Sequence, residues 1–167
     1  WFEEPCPPDS PDEIAKVARA TSIPISAGER LTTKYEFHQL LKTGAASILQ
    51  PNLGRCGGLL EGKKIASMAE VYHAQIAPHL YCGPVVAAAN IQLATCTPNF
   101  LILETIQGWQ GFHSDLVKTS IKFEGGFIIP PTEPGLGIEL NEKVALANPY
   151  TGSELHLEMS SVPATLL

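Results

Sequence analysis

The chain has 167 residues, 44% of them hydrophobic and 17% charged, with a formal net charge of -6. It is long enough for one core and too apolar for disorder, and its scattered Lys and Arg form no basic stripe of the kind that binds nucleic acid. No run approaches the roughly 20 apolar residues of a membrane span, and the N-terminus carries neither a basic nor a cleavable apolar segment, so a soluble cytoplasmic protein is expected.

Trp1-Phe2-Glu3 reads as a strand, and a chain that opens inside a strand without methionine is expected to be a piece of a longer one. Pro5 to Pro8 form a rigid loop. Ser10-Pro11-Asp12-Glu13 predicts a helix to about Ala20, with Ser10 as cap, Pro11 in the first turn and Glu13 closing a capping box. Ile23 to Ser26 is the second strand. Gly28-Glu29-Arg30 turns out of it toward a helix near Lys34 to Lys42 that Gly44 ends. Ala45 to Gln50 is the third strand. Gly57-Gly58 permits a turn into a helix from Leu59 to His73, whose Leu60, Ile65, Met68, Ala69 and Tyr72 are spaced to cover a core. Ala74 to Ala77 is the fourth strand, Val85 to Cys96 a buried apolar helix after Gly83-Pro84, and Phe100 to Leu103 the fifth strand. Beyond Glu104 the regularity stops. A loop from Gln107 to Asp115, a Gly- and Pro-rich stretch from Gly125 to Gly137 and a short helix near Glu142 to Ala147 precede a tail with no assignable structure.

A polar residue recurs at the end of each apolar run: Glu3, Glu29, Asn52, His79 and Glu104, at steps of 26, 23, 27 and 25 residues. That step fits one strand, one helix and two loops, so the chain reads as consecutive βα units. In a parallel α/β barrel such strand ends gather on one face, where the chemistry sits. A full barrel takes about 250 residues and eight units, so five units make either part of a barrel or an open, doubly wound parallel sheet.

Glu3 and Glu4 point opposite ways along a strand, so one of them shares a pocket with Glu29. Two such carboxylates suit a hard cation such as Mg2+, although strand-end acids also serve as solvated or ion-paired groups. His79 sits in a loop between Ala77-Pro78 and a Gly-Pro turn, placed to accept a proton, and Glu104 can donate a hydrogen bond if Ile102, Leu103 and Trp109 desolvate it. His113 is a weaker pocket candidate. His38, His73 and His156 read as surface histidines, and Cys6, Cys56, Cys82 and Cys96 as free thiols without a CxxC pair. Gly54-Arg55-Cys56-Gly57-Gly58 matches no phosphate-loop pattern.

The strings WFEEP (1–5), ISAGER (25–30), ILQPNLGRCGG (48–58), APHLYCGP (77–84), LILE (101–104) and PGLG (134–137) resemble the enolase superfamily, most closely the galactonate dehydratase-like sugar-acid dehydratases of its mandelate racemase branch. The resemblance implies an α/β fold: the C-terminal half of a (β/α)7β TIM-like barrel, lacking the capping domain and first strands. Residues 1–123 would belong to the barrel, and 124–167 would pack back toward the capping domain. It further implies Mg2+ at Glu3 and Glu29, a base at His79, a hydrogen-bond donor at Glu104, and substrate contacts from Arg30, Trp109 and His113. The reaction would remove the proton next to the carboxylate of an acid sugar and expel water, in a homo-oligomer. One position departs from the pattern: Asn52 stands where the family pairs an aspartate with its histidine. An amide can accept the ring N–H, or turn and offer its own donor. Two rivals stay open: a racemase or epimerase of a 2-hydroxy acid, which needs bases on both faces and so suffers more from Asn52, and a non-catalytic metal-binding relative, which that departure keeps open.

Overall fold

The computed structural model describes residues 1–106 and 109–149, so His156 and the end of the tail lie outside the described residues. Four short strands, β1 (Phe2–Glu3), β2 (Ile25–Ala27), β3 (Ile48–Leu49) and β4 (Gln75–Ile76), pair in parallel in chain order. The register sets Glu3 beside Ser26, Ser26 beside Ile48, and Leu49 beside Ile76. Each is followed by a helix: α1 (Pro11–Ala20), α2 (Lys34–Thr43), α3 (Gly58–Val71) and α4 (Pro84–Thr95). A doubly wound sheet reverses its strand order at a switch point, and this one does not. The architecture is therefore half of a TIM-like barrel rather than the open sheet.

Side chains alternate across the strands. Ile25, Ala27, Leu49 and Ile76 face the helices and pack with Phe37, Leu40, Ile65 and Leu93 in one buried cluster. Glu3, Ser26 and Ile48 share the opposite face by register, and Gln50 follows Ile48 on it.

Several expectations are corrected. The fifth strand reduces to Phe100 paired in parallel beside Ile76, with Leu101 N–H donating to the Ile76 carbonyl at 2.8 Å. Its next residues, Leu101 and Ile102, are exposed and have no outer strand neighbour among the described residues. β2 starts two residues late because Pro24 has no N–H to donate; its carbonyl accepts from Phe2. Ser10 makes no side-chain cap: the Glu13 N–H goes to the Ser10 carbonyl at 3.1 Å, the Ser10 N–H goes to the Pro7 carbonyl at 3.1 Å, and the Glu13 carboxylate pairs with Lys16. On α3, Leu60 and Tyr72 are exposed, and Gly62, Ile65, Ala66 and Ala69 form the buried side. Gly62 explains that rotation: a Cβ there would lie 2.4 Å from Leu53 Cδ2, so the helix presents its small residues to Leu53 and Leu93. The Gly-rich stretch holds a hairpin, β5 (Lys122–Glu124) and β6 (Phe127–Ile129), turned by Gly125 and Gly126 at φ 58° and 84°. Two short helices, α5 (Phe112–Asp115) and α6 (Glu142–Ala147), complete the described chain. Among the described residues no helix is long and apolar enough to cross a membrane.

The capping box belongs to α2. The Glu36 carboxylate accepts from the backbone N–H of Thr33 at 2.7 Å and of Thr32 at 3.0 Å, and the Thr33 hydroxyl returns to Glu36 N–H at 3.4 Å. The Thr33 hydroxyl first, then those N–H groups, hold the Glu36 carboxyl below the ordinary glutamate range. A depressed folded-state pKa stabilises the protein above the ordinary value and is lost as pH falls through the depressed one. Thr33→Ala is expected to lower stability by about 1 kcal/mol at pH 7. In urea denaturation the gap between wild type and variant should narrow at acid pH.

Candidate active site

Each strand end delivers its side chain through a backbone device. After β2 the chain passes Gly28 at φ 128°, and Leu31 N–H closes onto the Gly28 carbonyl, which turns Glu29 toward the barrel mouth. A side chain at Gly28 would place a Cβ 2.5 Å from Phe37 Cε1, a fully buried ring, so the turn is possible only with glycine. After β3, Asn52 is 3% exposed. Its Oδ1 accepts the Gly54 N–H at 2.8 Å, and its Nδ2 lies 2.9 Å from His79 Nδ1 and 3.3 Å from Cys82 Sγ. After β4, the buried Asn90 of α4 donates to the His79 carbonyl at 3.1 Å and so holds that loop.

His79 Nε2 then stands 3.5 Å from Glu29 Oε2 and 4.0 Å from Glu104 Oε2. Leu80 N–H donates to the same Glu104 oxygen at 2.8 Å. Glu29, Asn52, Arg55, His79, Cys82 and Glu104 line one cavity of about 470 Å³. Two carboxylates, an imidazole and a guanidinium thus converge at the strand ends, an arrangement suited to an anionic substrate handled by proton donors and acceptors.

The other expected positions lie around this cavity. Glu3 is outside its lining; its Oε2 accepts from Gln50 Nε2 at 2.8 Å and from Trp1 Nε1 at 3.0 Å. Glu4 turns the opposite way, 12% exposed, and its carboxyl is pushed up by burial against the lowering influence of Gly28 N–H and Arg30. Arg30 lies 3.5 Å from Glu4 and is otherwise exposed, so it is engaged there. Trp109 donates from Nε1 to the Cys82 carbonyl at 3.0 Å, and with His113 it lines a separate cavity of about 210 Å³. Among the described residues the Glu104 side chain is 42% exposed, Ile102 is 52% exposed and Trp109 donates to the Cys82 carbonyl. Sequence reasoning gave no role to Gln50, Gly54 or Cys82. Gln50 and Gly54 flank Asn52 in the strand-end string, and that adjacency was the available signal.

Among the described residues, no group of three or more His, Cys, Asp or Glu is gathered tightly enough to hold a metal by itself. The oxygen set beside Glu3 nevertheless suits a hard cation. Ser26 Oγ and Gln50 Oε1 are buried next to it without hydrogen-bond partners, and buried oxygens are normally satisfied. Mg2+ commonly takes one or two carboxylates and completes its shell with water and substrate.

Residues 1–144 match the family model described as enolase C-terminal domain-like. The chain belongs to that enolase C-terminal domain-like family. A D-galactonate dehydratase of Ralstonia nicotianae is 38% identical over 152 residues, 87% of this chain. The chain spans 40% of that relative's length. A solved structure from Labrenzia alexandrii DFL-11 is 69% identical with a TM-score of 0.88, covering 94% of this chain and 41% of the other. A mandelate racemase/muconate lactonizing enzyme from Sulfitobacter sp. is 60% identical with a TM-score of 0.87, covering 98% and 41%. Within the enolase C-terminal domain-like fold, the Gly28 turn decides where Glu29 goes. Gly28→Ala is therefore expected to cost about 2 kcal/mol or more, because it adds a positive-φ penalty to overpacking against Phe37. Chemical denaturation checks the loss, and Arg30→Ala should cost less than Gly28→Ala in the same assay, since the Arg30 end of its pair with Glu4 is open to water.

Proposed function

We propose that the whole protein is a Mg2+-dependent lyase that removes the proton next to the carboxylate of an acid sugar and expels the neighbouring hydroxyl as water. The observation that carries this reading is the convergence of Glu29, His79 and Glu104 in one cavity at the strand ends, with Nε2 of the imidazole within 4.0 Å of both carboxylates. The D-galactonate dehydratase of Ralstonia nicotianae supports the substrate class.

Glu3 and Glu29 would hold Mg2+, which when bound supplies positive charge beside the substrate carboxylate. Gln50 fixes the Glu3 carboxylate through its 2.8 Å hydrogen bond. Glu104 would donate a hydrogen bond to a carboxylate oxygen of the substrate, its own position set by Leu80 N–H. Arg55, at the cavity wall, adds attraction for an anion entering between two carboxylates. His79 stands nearest the reacting carbons.

Incubation of the full-length protein with a panel of acid sugars and Mg2+ in D2O, followed by NMR, tests this reading. Formation of a dehydrated keto acid is expected. Deuterium uptake without loss of water would favour a racemase or epimerase, and no reaction across the panel would leave a non-catalytic relative. Gln50→Leu probes the metal site separately. Removing a hydrogen bond that orients a ligand is expected to weaken Mg2+ binding by about 10–100-fold in calorimetric titration.

A further inference from the structure

We infer that Asn52 holds His79 as the tautomer protonated on Nε2, so that His79 presents the cavity with a hydrogen-bond donor rather than with a base. The orientation of the Asn52 amide decides this, and a backbone group decides the orientation. Amide oxygen and nitrogen are often exchanged without consequence. Here Oδ1 receives the Gly54 N–H at 2.8 Å, and a backbone N–H can only donate. Turning the amide would set two donors against each other at a site 3% exposed and would leave the Gly54 N–H unpaired there. Nδ2 is thereby directed at His79 Nδ1, 2.9 Å away, and at Cys82 Sγ, 3.3 Å away, both able to accept.

A ring whose Nδ1 accepts carries its proton on Nε2. The other side of the ring is compatible with this. Nε2 faces Glu29 Oε2 at 3.5 Å, the outer limit of a hydrogen bond, and Glu104 Oε2 at 4.0 Å, beyond one. The loop leaves the ring little freedom, since Asn90 ties the His79 carbonyl to α4 and the side chain is 14% exposed.

For function, this inference rests on the acid-sugar lyase reading. A neutral imidazole with its N–H in the cavity stabilises charge that develops on a substrate oxygen. Its Nδ1 lone pair is engaged by Asn52. The carbon-bound proton therefore passes to a separate basic side chain of the full-length protein, and the departing hydroxyl takes up a proton to leave as water. Asn52 is a positioning residue in this scheme. An aspartate at 52 would keep the Gly54 hydrogen bond with one oxygen and accept Nδ1–H with the other, which moves the ring proton and reverses the role of Nε2.

The test is 15N NMR of the full-length protein labelled at histidine, with the His79 signals identified by their loss in His79→Gln. Nε2 is expected to be the protonated nitrogen and Nδ1 the acceptor, with the assignment exchanged in Asn52→Asp. A wild-type ring protonated on Nδ1 overturns the inference, and that spectrum decides even if Asn52→Asp does not fold. In turnover, His79→Gln keeps an N–H donor and should stay within about tenfold of wild type, whereas His79→Ala should lose about 10²–10³ in kcat. Equal losses in the two variants would mean that His79 takes up a proton. Failure to find any acid-sugar substrate would remove the lyase reading and still leave the tautomer to be read from the spectrum.

Discussion

The parallel register of four very short strands is the constraint on which the rest of this structure depends. β1, β3 and β4 have two residues each and β2 has three, so each strand contributes one or two side chains to each face. Ala27, Leu49 and Ile76 lock the sheet to its helices, and Glu3, Ser26 and Gln50 stand on the other side. A slip of one residue in any strand would turn the polar set toward the helices and the apolar one away from them. The pairing that gives the fold its core therefore also orders Glu29, Asn52, His79 and Glu104 around a single mouth, with Glu3 on the same sheet face outside its lining.

Precision at that mouth comes from amides more than from charges. Gln50 holds Glu3, Asn52 joins Gly54 to His79, and Asn90 ties the His79 loop to α4. Asn99 donates to the Ala66 and Ala74 carbonyls and so fixes the end of α3 to the start of β4. Each of these side chains bridges two segments, and buried hydrogen bonds hold geometry because leaving them unmade is expensive. By contrast, the exposed ion pairs of the molecule, such as Lys118 with Glu139, lie outside the cavity and are screened by water.

Much of this was legible in the sequence because the signals were local or periodic. Apolar runs marked all four strands, and Lys34 to Thr43 ended at Gly44 as the left-handed cap requires. The turn glycines and the recurring polar strand ends located Glu29, Asn52, His79 and Glu104. Features that depend on a distant partner were not legible. Leu60 and Tyr72 fit a helical stripe, yet the buried side of α3 is set by Leu53 and Leu93, which reach it from other segments. Ser10 and Glu13 have the spacing of a capping box, but the Ser10 N–H is taken by the Pro7 carbonyl and the Glu13 N–H by the Ser10 carbonyl, and the box forms at Thr33 and Glu36. Arg30 follows Glu29 in the sequence, and only the fold shows that it also reaches Glu4, 3.5 Å away and 12% exposed.

Asn52 has a consistent place in this design. The cavity already carries the carboxylates of Glu29 and Glu104 near the His79 ring, and the proposed substrate is itself an anion. A third carboxylate at position 52 would strengthen His79 as a base but would add repulsion where like charges are poorly screened. An amide keeps the same Gly54 anchor without that charge. In the proposed reaction it would also make the two faces of the substrate unequal: the face toward His79 would meet a donor, so exchange of a proton through both faces, as racemisation requires, would lose one of its bases. Elimination needs one proton removed and charge held on oxygen while the hydroxyl departs, and a fixed donor on this face serves that step. The substitution that weakens the racemase reading is thus compatible with the lyase one.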